Sequence, residues 1–96
     1  MEILKPTVTR RKTAKEFQAT TIVKDTSGKI WCVTTMQRIH GSITSRAQPV
    51  SNFVNDTVEI DYRGKIKPLI RSNKLPYQTF IKEQHEAALQ RFKILQ

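Results

Sequence analysis

The chain has 96 residues, of which 38% are hydrophobic and 26% charged, and it carries 17 Lys and Arg against 8 Asp and Glu for a net charge of +9. This length accommodates one hydrophobic core, because each half of the chain would lie close to the lower limit of about 40 residues for unaided folding. The composition excludes a disulfide scaffold, since Cys32 is the only cysteine, and no apolar run approaches the length needed to span a bilayer.

The first 15 residues predict a basic arm that precedes a single α+β domain over residues 16–96. The arm has few apolar side chains and, besides Glu2, the cations Lys5, Arg10, Arg11, Lys12 and Lys15. A short edge strand could lie within it. A flexible arm loses conformational entropy when it docks, so it favours binding only to a strongly attracting partner.

Residues 16–39 predict a β-hairpin. One face of its first strand, at a period of two, consists of Phe17, Ala19, Thr21 and Val23. The Asp25 side chain can cap the turn, and Gly28 can adopt the positive φ of a type I turn with a bulge. The second strand is rich in β-branched and aromatic residues. Both strands carry apolar residues on both faces, so a small barrel is an alternative to a flat sheet.

Residues 40–55 predict a polar loop, because Gly, Pro, Ser and Asn recur there. No acidic residue lies between Asp25 and Asp56, whereas Arg38 and Arg46 fall within that interval. We therefore expect an electropositive and adaptable surface around this loop.

Residues 56–70 predict a second hairpin, with Val58, Ile60 and Tyr62 on one face of its first strand. Pro68 restricts the return strand to a sheet edge, because proline has no N–H to donate. The segment from 63 to 74 has no acidic residue and contains the cations Arg63, Lys65, Lys67, Arg71 and Lys74.

Residues 77–95 predict one helix. Its buried stripe, at 100° per residue, comprises Ile81, His85, Ala88, Leu89, Phe92 and Leu95. The simplest assembly is a small antiparallel β-sheet of about four strands in two hairpins, with the C-terminal helix packed on it. The alternative is a small β-barrel with a C-terminal helix.

No catalytic or metal-binding constellation emerges, and we expect neither enzymatic activity nor a cofactor. Cys32 lies in mid-strand, where burial makes a thiol inert. His85 lies on the helix stripe and is expected to be a hydrogen-bonded core residue. The positions of Cys32, His40 and His85 lack metal-ligand spacing. Glu59 and Asp61 share a strand face, a pattern that is typical of a solvated surface.

The charge pattern predicts a small, non-enzymatic nucleic-acid-binding protein, because cations that neutralise several phosphates give sequence-independent affinity. The contacts would come from the arm, from Arg38 and Arg46, and from the basic segment 63–74. Exposed aromatic residues are few, since Trp31 in a hairpin is more often a core residue. This scarcity favours duplex DNA slightly over RNA.

The alternative function is a protein-interaction module that docks on an acidic protein surface. Inhibitors or adaptors from a phage or mobile element, and subunits of larger assemblies, are proteins of this kind.

A single free thiol is typical of a reducing compartment, and no apolar stretch of signal-peptide length follows Met1. We therefore expect the protein to be cytoplasmic.

Overall fold

The computed structural model describes residues 1–38, 43–54, 57–61, 63–72 and 81–96. Within these ranges, the elements are β1 (Glu2–Thr13), β2 (Glu16–Lys24), β3 (Ile30–Arg38), β4 (Ile43–Val54), β5 (Thr57–Ile60), β6 (Lys67–Ser72) and α1 (Ile81–Ile94). The strands form a curled antiparallel sheet, and α1 packs on it. The predicted α+β fold class is confirmed, and the half-barrel shape of the sheet keeps the barrel alternative plausible.

The sheet has the order β1-β2-β3-β4-β5, and β6 pairs with β4 beside this path. β2 and β3 pair without a register shift from Glu16↔Arg38 to Lys24↔Ile30, which confirms the first hairpin. In its turn, Asp25 Oδ1 accepts a hydrogen bond from the backbone N–H of Lys29 at 2.9 Å. Gly28 has a φ of 90°. Both turn residues therefore have the roles that the sequence predicts.

β4 occupies most of the segment expected to be a loop, and that expectation is wrong. It pairs with β3 from Trp31↔Pro49 to Gln37↔Ile43. Its side chains alternate between the two faces of the sheet, and those on one face, Ile43, Ser45 and Ala47, are buried. Local composition favours a loop here, but pairing with β3 and β6 and the burial of these side chains outweigh it.

The second hairpin has different strands from those predicted. β5 pairs with the end of β4, from Val50↔Ile60 to Val54↔Thr57, whereas β6 pairs with the beginning of β4. A register shift between Val50 and Asn52 lies at the start of the β4–β5 pairing. Pro68 lies on β6, beside a register shift in its pairing with β4. An edge position of this kind tolerates the missing proline N–H.

The expected basic arm is largely strand β1, which pairs with β2 from Glu2↔Lys24 to Thr13↔Glu16. Register shifts interrupt this pairing, and Pro6 lies within one of them, between Lys5 and Val8. β1 buries little, but the free edge of β2 provides hydrogen-bond partners for its backbone. The cations of this segment are therefore ordered along a sheet edge.

α1 covers one face of the sheet. The main core cluster consists of Val23, Trp31, Val33, Ala47, Leu69, Ala88, Leu89 and Phe92. Trp31 is 4% exposed, and its ring meets that of Phe92 edge-on at 5.6 Å between centroids, which confirms its core position. The predicted helix stripe is buried except for Leu95. Among the described residues, no helix has the length and apolarity required to cross a membrane.

The opposite face carries a smaller apolar cluster at one end. Its buried members are Ile22, Cys32 and Val50, and half-buried residues of β1, β3, β4 and β5 pack against them. Leu4 of β1 and Ile60 of β5 thus contact the same cluster, although these strands lie at opposite ends of the sheet order. The curl of the sheet has brought its two ends toward each other.

Candidate nucleic-acid interface

The sheet face opposite α1 contains an open groove, since the curl makes this face concave. The groove, with a cavity of about 560 Å³, is lined by Gln18, Thr34, Met36, Arg38, Thr44, Arg46 and Gln48. We call this surface the sheet groove. It continues into a second cavity of about 360 Å³, which shares Gln18, Thr34 and Gln48 with it. We call this cavity the seam pocket, because it lies between β1 and β5 and is lined by Val8, Arg10, Ile22, Cys32, Val58 and Ile60.

Strand pairing arranges the side chains of the sheet groove and the seam pocket in rows across the sheet. One row consists of Arg10, Gln18, Met36 and Thr44, and the next of Val8, Thr20, Thr34 and Arg46. Successive side chains of a strand point to opposite faces. The alternation that buries Thr21 and Val33 beneath α1 therefore presents Thr20 to the seam pocket and Thr34 to both cavities.

Three arginines from three strands line the two cavities. Arg10 on β1 lines the seam pocket and donates to Gln18 Oε1, from Nε at 3.4 Å and from Nη2 at 3.3 Å. Arg38 at the end of β3 forms an ion pair with Glu16, with 2.9 Å between Nε and Oε1. Arg46 on β4 is exposed and has no ion-pair partner among the described residues. Lys5 also lines the seam pocket. No carboxylate from the described part of the chain lines either cavity.

Other predicted cations lie away from the groove. The Arg11 guanidinium lies over the Phe17 ring, 5.5 Å from its centroid. Lys67 Nζ lies 4.5 Å from the Trp31 centroid and covers the edge of the main core. Arg63 Nε lies 3.6 Å from Asp61 Oδ1 in an exposed turn. These three side chains have local partners that explain their positions.

Lys12, Lys15 and Lys65 are exposed and line neither cavity. Arg71 lies on β6, where its backbone pairs with Thr44. Lys74 lies outside the described residues, as do His40 and Tyr62. Of the predicted binding residues, the structure therefore brings Lys5, Arg10, Arg38 and Arg46 together.

The two chemically versatile side chains of the described core have structural positions. Cys32 is 6% exposed, and burial raises the pKa of its thiol, in keeping with the inert role predicted for it. His85 is fully buried between Thr21 and Thr35, with 2.7 Å from a ring nitrogen to each hydroxyl. Burial lowers the pKa of His85 to about 4, so the imidazole is neutral at pH 7. The prediction of a hydrogen-bonded core histidine is confirmed.

The charge pattern does not identify the uncharged groove residues, above all Gln18, Thr34 and Gln48. The alternation of buried and partly exposed side chains along each strand could have identified them, because each lies on the strand face opposite that of its buried neighbours. For Gln48 this signal could be used only if β4 had been recognised as a strand.

Comparisons of the chain with protein-family models, with curated proteins and with solved structures give no match. Any assignment of function therefore rests on the geometry and charge of the groove.

Proposed function

We propose that the protein binds nucleic acid through the sheet groove and catalyses no reaction on it. The supporting observation is the presence of Arg10, Arg38 and Arg46 on one concave surface that, within the described residues, has no lining carboxylate. Guanidinium groups bind phosphate bidentately. Neighbouring Gln and Thr side chains can donate to phosphate and sugar oxygens. The net charge of +9 adds long-range attraction for a polyanion.

Arg46 is the most important residue of this proposal. It lies opposite Thr34 in the β3–β4 pairing, which puts it in the body of the sheet. Since it has no ion-pair partner among the described residues, its guanidinium can bind a phosphate without breaking a contact. Arg38 must instead share its charge with Glu16. We further propose a cytoplasmic location, where nucleic acid is accessible and a lone thiol stays reduced.

Fluorescence anisotropy with labelled single-stranded DNA, duplex DNA and RNA at 50 and 200 mM salt tests the proposal. If the groove neutralises three or four phosphates of a single strand, Kd should rise roughly 20- to 50-fold between the two salt concentrations. Arg46→Gln should weaken binding and reduce the number of released counterions by about one. Arg91→Gln removes the same charge from an exposed position on α1 and is the matched control.

The control should retain most of the affinity, because α1 packs on the other face of the sheet. An equal loss in both variants would indicate unspecific attraction to total charge and would contradict a site in the groove. Absence of binding to all three nucleic acids at 50 mM salt would overturn the proposal. An acidic protein surface would then be the partner to seek.

A further inference from the structure

The seam pocket differs in character from the rest of the groove. Ile22 and Cys32 at its base are 2% and 6% exposed, and Val58 and Ile60 of β5 form an apolar side. Its volume of about 360 Å³ falls within the range of small-molecule binding sites. A strand of the same sheet thus provides apolar surface directly beside the polar and basic groove.

The rim of the pocket carries hydrogen-bonding and cationic groups. Gln18 and Thr34 line both cavities, and Arg10 donates to Gln18 at this boundary. A ligand that matches these surfaces has a compact apolar body, polar groups along its edge and an attached negative charge. A nucleobase on a phosphodiester chain has all three properties.

We infer that the natural ligand is single-stranded and that the seam pocket holds one of its unstacked bases, an inference that rests on the proposed nucleic-acid function. A duplex keeps its bases stacked inside the helix. Its phosphates can contact the arginines of the two cavities, but it presents no nucleobase to the apolar floor of the pocket. Extruding a base from a duplex costs the free energy of unpairing and unstacking, which is least for a base that is already single-stranded.

This inference reverses the slight preference for duplex DNA that the scarcity of exposed aromatic residues suggests. Many single-strand binders stack bases on aromatic rings. Here the apolar contacts come from aliphatic side chains, namely Ile22, Val58 and Ile60, which a search for exposed aromatic residues does not detect.

Val8 allows the pocket to be filled with little disturbance of the core. It lines the pocket but is 50% exposed, on edge strand β1. Val8→Phe should therefore occupy the pocket while the buried residues keep their packing. Val54→Phe is the matched control, since Val54 is 56% exposed on a strand and lines neither cavity.

The test compares a labelled oligothymidylate, an abasic strand of equal length and a duplex by fluorescence anisotropy at 50 mM salt. The abasic strand keeps the phosphates and lacks the bases. We expect the wild-type protein to bind the oligothymidylate about 10-fold more tightly than the abasic strand, toward the lower end of what a base stacked on an aromatic ring contributes. Val8→Phe should bind both strands equally, and Val54→Phe should keep the preference.

Two failures are distinguishable. If the wild-type protein binds the abasic strand or the duplex as tightly as the oligothymidylate, the base pocket is overturned while nucleic-acid binding stands. If it binds none of the three, the proposed function fails as well.

A measurement on the wild-type protein covers the case in which Val8→Phe does not fold. An oligothymidylate carrying 4-thiothymidine is photo-cross-linked, and the attachment site is mapped by mass spectrometry. Attachment to Cys32, Ile22 or another residue that lines the seam pocket supports the inference. Attachment confined to residues that do not line the pocket overturns it.

Discussion

The Nδ1 atom of His85 on α1 lies 2.7 Å from Thr35 Oγ1 on β3. The other ring nitrogen, Nε2, lies 2.7 Å from Thr21 Oγ1 on β2. The hydroxyl groups continue to Ser45 Oγ and Thr7 Oγ1, each at 2.6 Å. A neutral imidazole has one donor and one acceptor, so it can link two hydroxyl groups. This polar chain joins β1, β2, β3 and β4 to the helix.

The stability of the protein should fall as the pH drops from about 6.5 to about 4. Burial lowers the pKa of His85 to about 4 from its ordinary value of 6.5, so over this interval the unfolded chain binds a proton that the folded protein does not. The neutral imidazole contributes fully to the free energy of unfolding above pH 6.5. The free energy of unfolding should be lower by roughly 3 kcal/mol at pH 4. Urea titrations at several pH values measure this change.

Two variants separate this effect from other titrations. His85→Leu should remove most of the pH dependence between 6.5 and 4, whatever its own stability. His40→Gln should retain that dependence. The opposite pattern in the two variants would show that His85 is not the titrating group.

Asp25→Ala should destabilise the protein by about 1.5–3 kcal/mol, the range for hydrogen bonds to a charged group. Asp25 accepts hydrogen bonds from Ser27 Oγ at 2.7 Å, from Trp31 Nε1 at 2.9 Å and from the Lys29 backbone N–H at 2.9 Å. Partial burial opposes ionisation, but these bonds and one from the Ser27 N–H lower the pKa of Asp25 to about 2. The substitution leaves the buried indole N–H without its partner.

Ser27→Ala is the control for Asp25→Ala, because it removes one exposed hydroxyl from the same turn. It should lower the free energy of unfolding by less than about 1 kcal/mol. Equal losses in the two variants would mean that the bond to Trp31 contributes nothing to stability.

Gly64→Ala should destabilise the protein by about 1–3 kcal/mol, the usual effect of overpacking. A Cβ at position 64 would overlap Pro49 Cγ and lie 3.2 Å from Pro49 Cβ and Cδ. The Asp61 N–H donates to Pro49 O at 2.9 Å, which ties this turn to β4 and limits relaxation. Lys65→Ala, at an exposed neighbour, should change stability by less than about 0.5 kcal/mol in the same thermal or urea melt. A Gly64→Ala protein as stable as wild type would contradict this contact.

Phe92→Ala should cost about 3–5 kcal/mol, the range for a core phenylalanine. Phe92 is fully buried and packs edge-on against Trp31. Ile94→Ala, two residues along α1 at a position that is 72% exposed, should cost less than about 0.5 kcal/mol. A loss below about 1 kcal/mol for Phe92→Ala in urea unfolding would mean that the helix stripe does not face the core.

The β2–β3 hairpin and α1 were predictable because their signals are local. Asp25 and Gly28 identify the turn within four residues of chain, and the burial of Ile81, His85 and Phe92 repeats the spacing of one helix face. The local sequence of β4 favours a loop instead, because Ser45, Pro49 and Asn52 are typical of loops. The segment is extended because it pairs with β3, which precedes it in the chain, and with β5 and β6, which follow it.

The sequence predicts that the candidate site is basic, but it does not predict which of the cations lie on one surface. Arg10, Arg38 and Arg46 are as basic in sequence as Arg11, Arg63 and Lys67, yet only the first set lines the groove or the seam pocket that continues it. Arg11 and Lys67 lie over aromatic rings instead, and Arg63 pairs with Asp61. A shift of one residue in strand register moves a side chain to the other face of the sheet, so the register decides between these roles.

The amino-acid sequence by itself determined the excess of positive charge, the hairpin turn at Asp25, the buried stripe of α1 and the α+β class, because each depends on residues close together in the chain. Only the tertiary structure decided that residues 2–13 are an edge strand, that β4 lies within the sheet, and that the groove with Arg46 continues into an apolar pocket with Arg10 between β1 and β5. These features depend on the pairing and curl of distant strands, and backbone hydrogen bonds between strands carry no residue-specific signal that a single sequence displays.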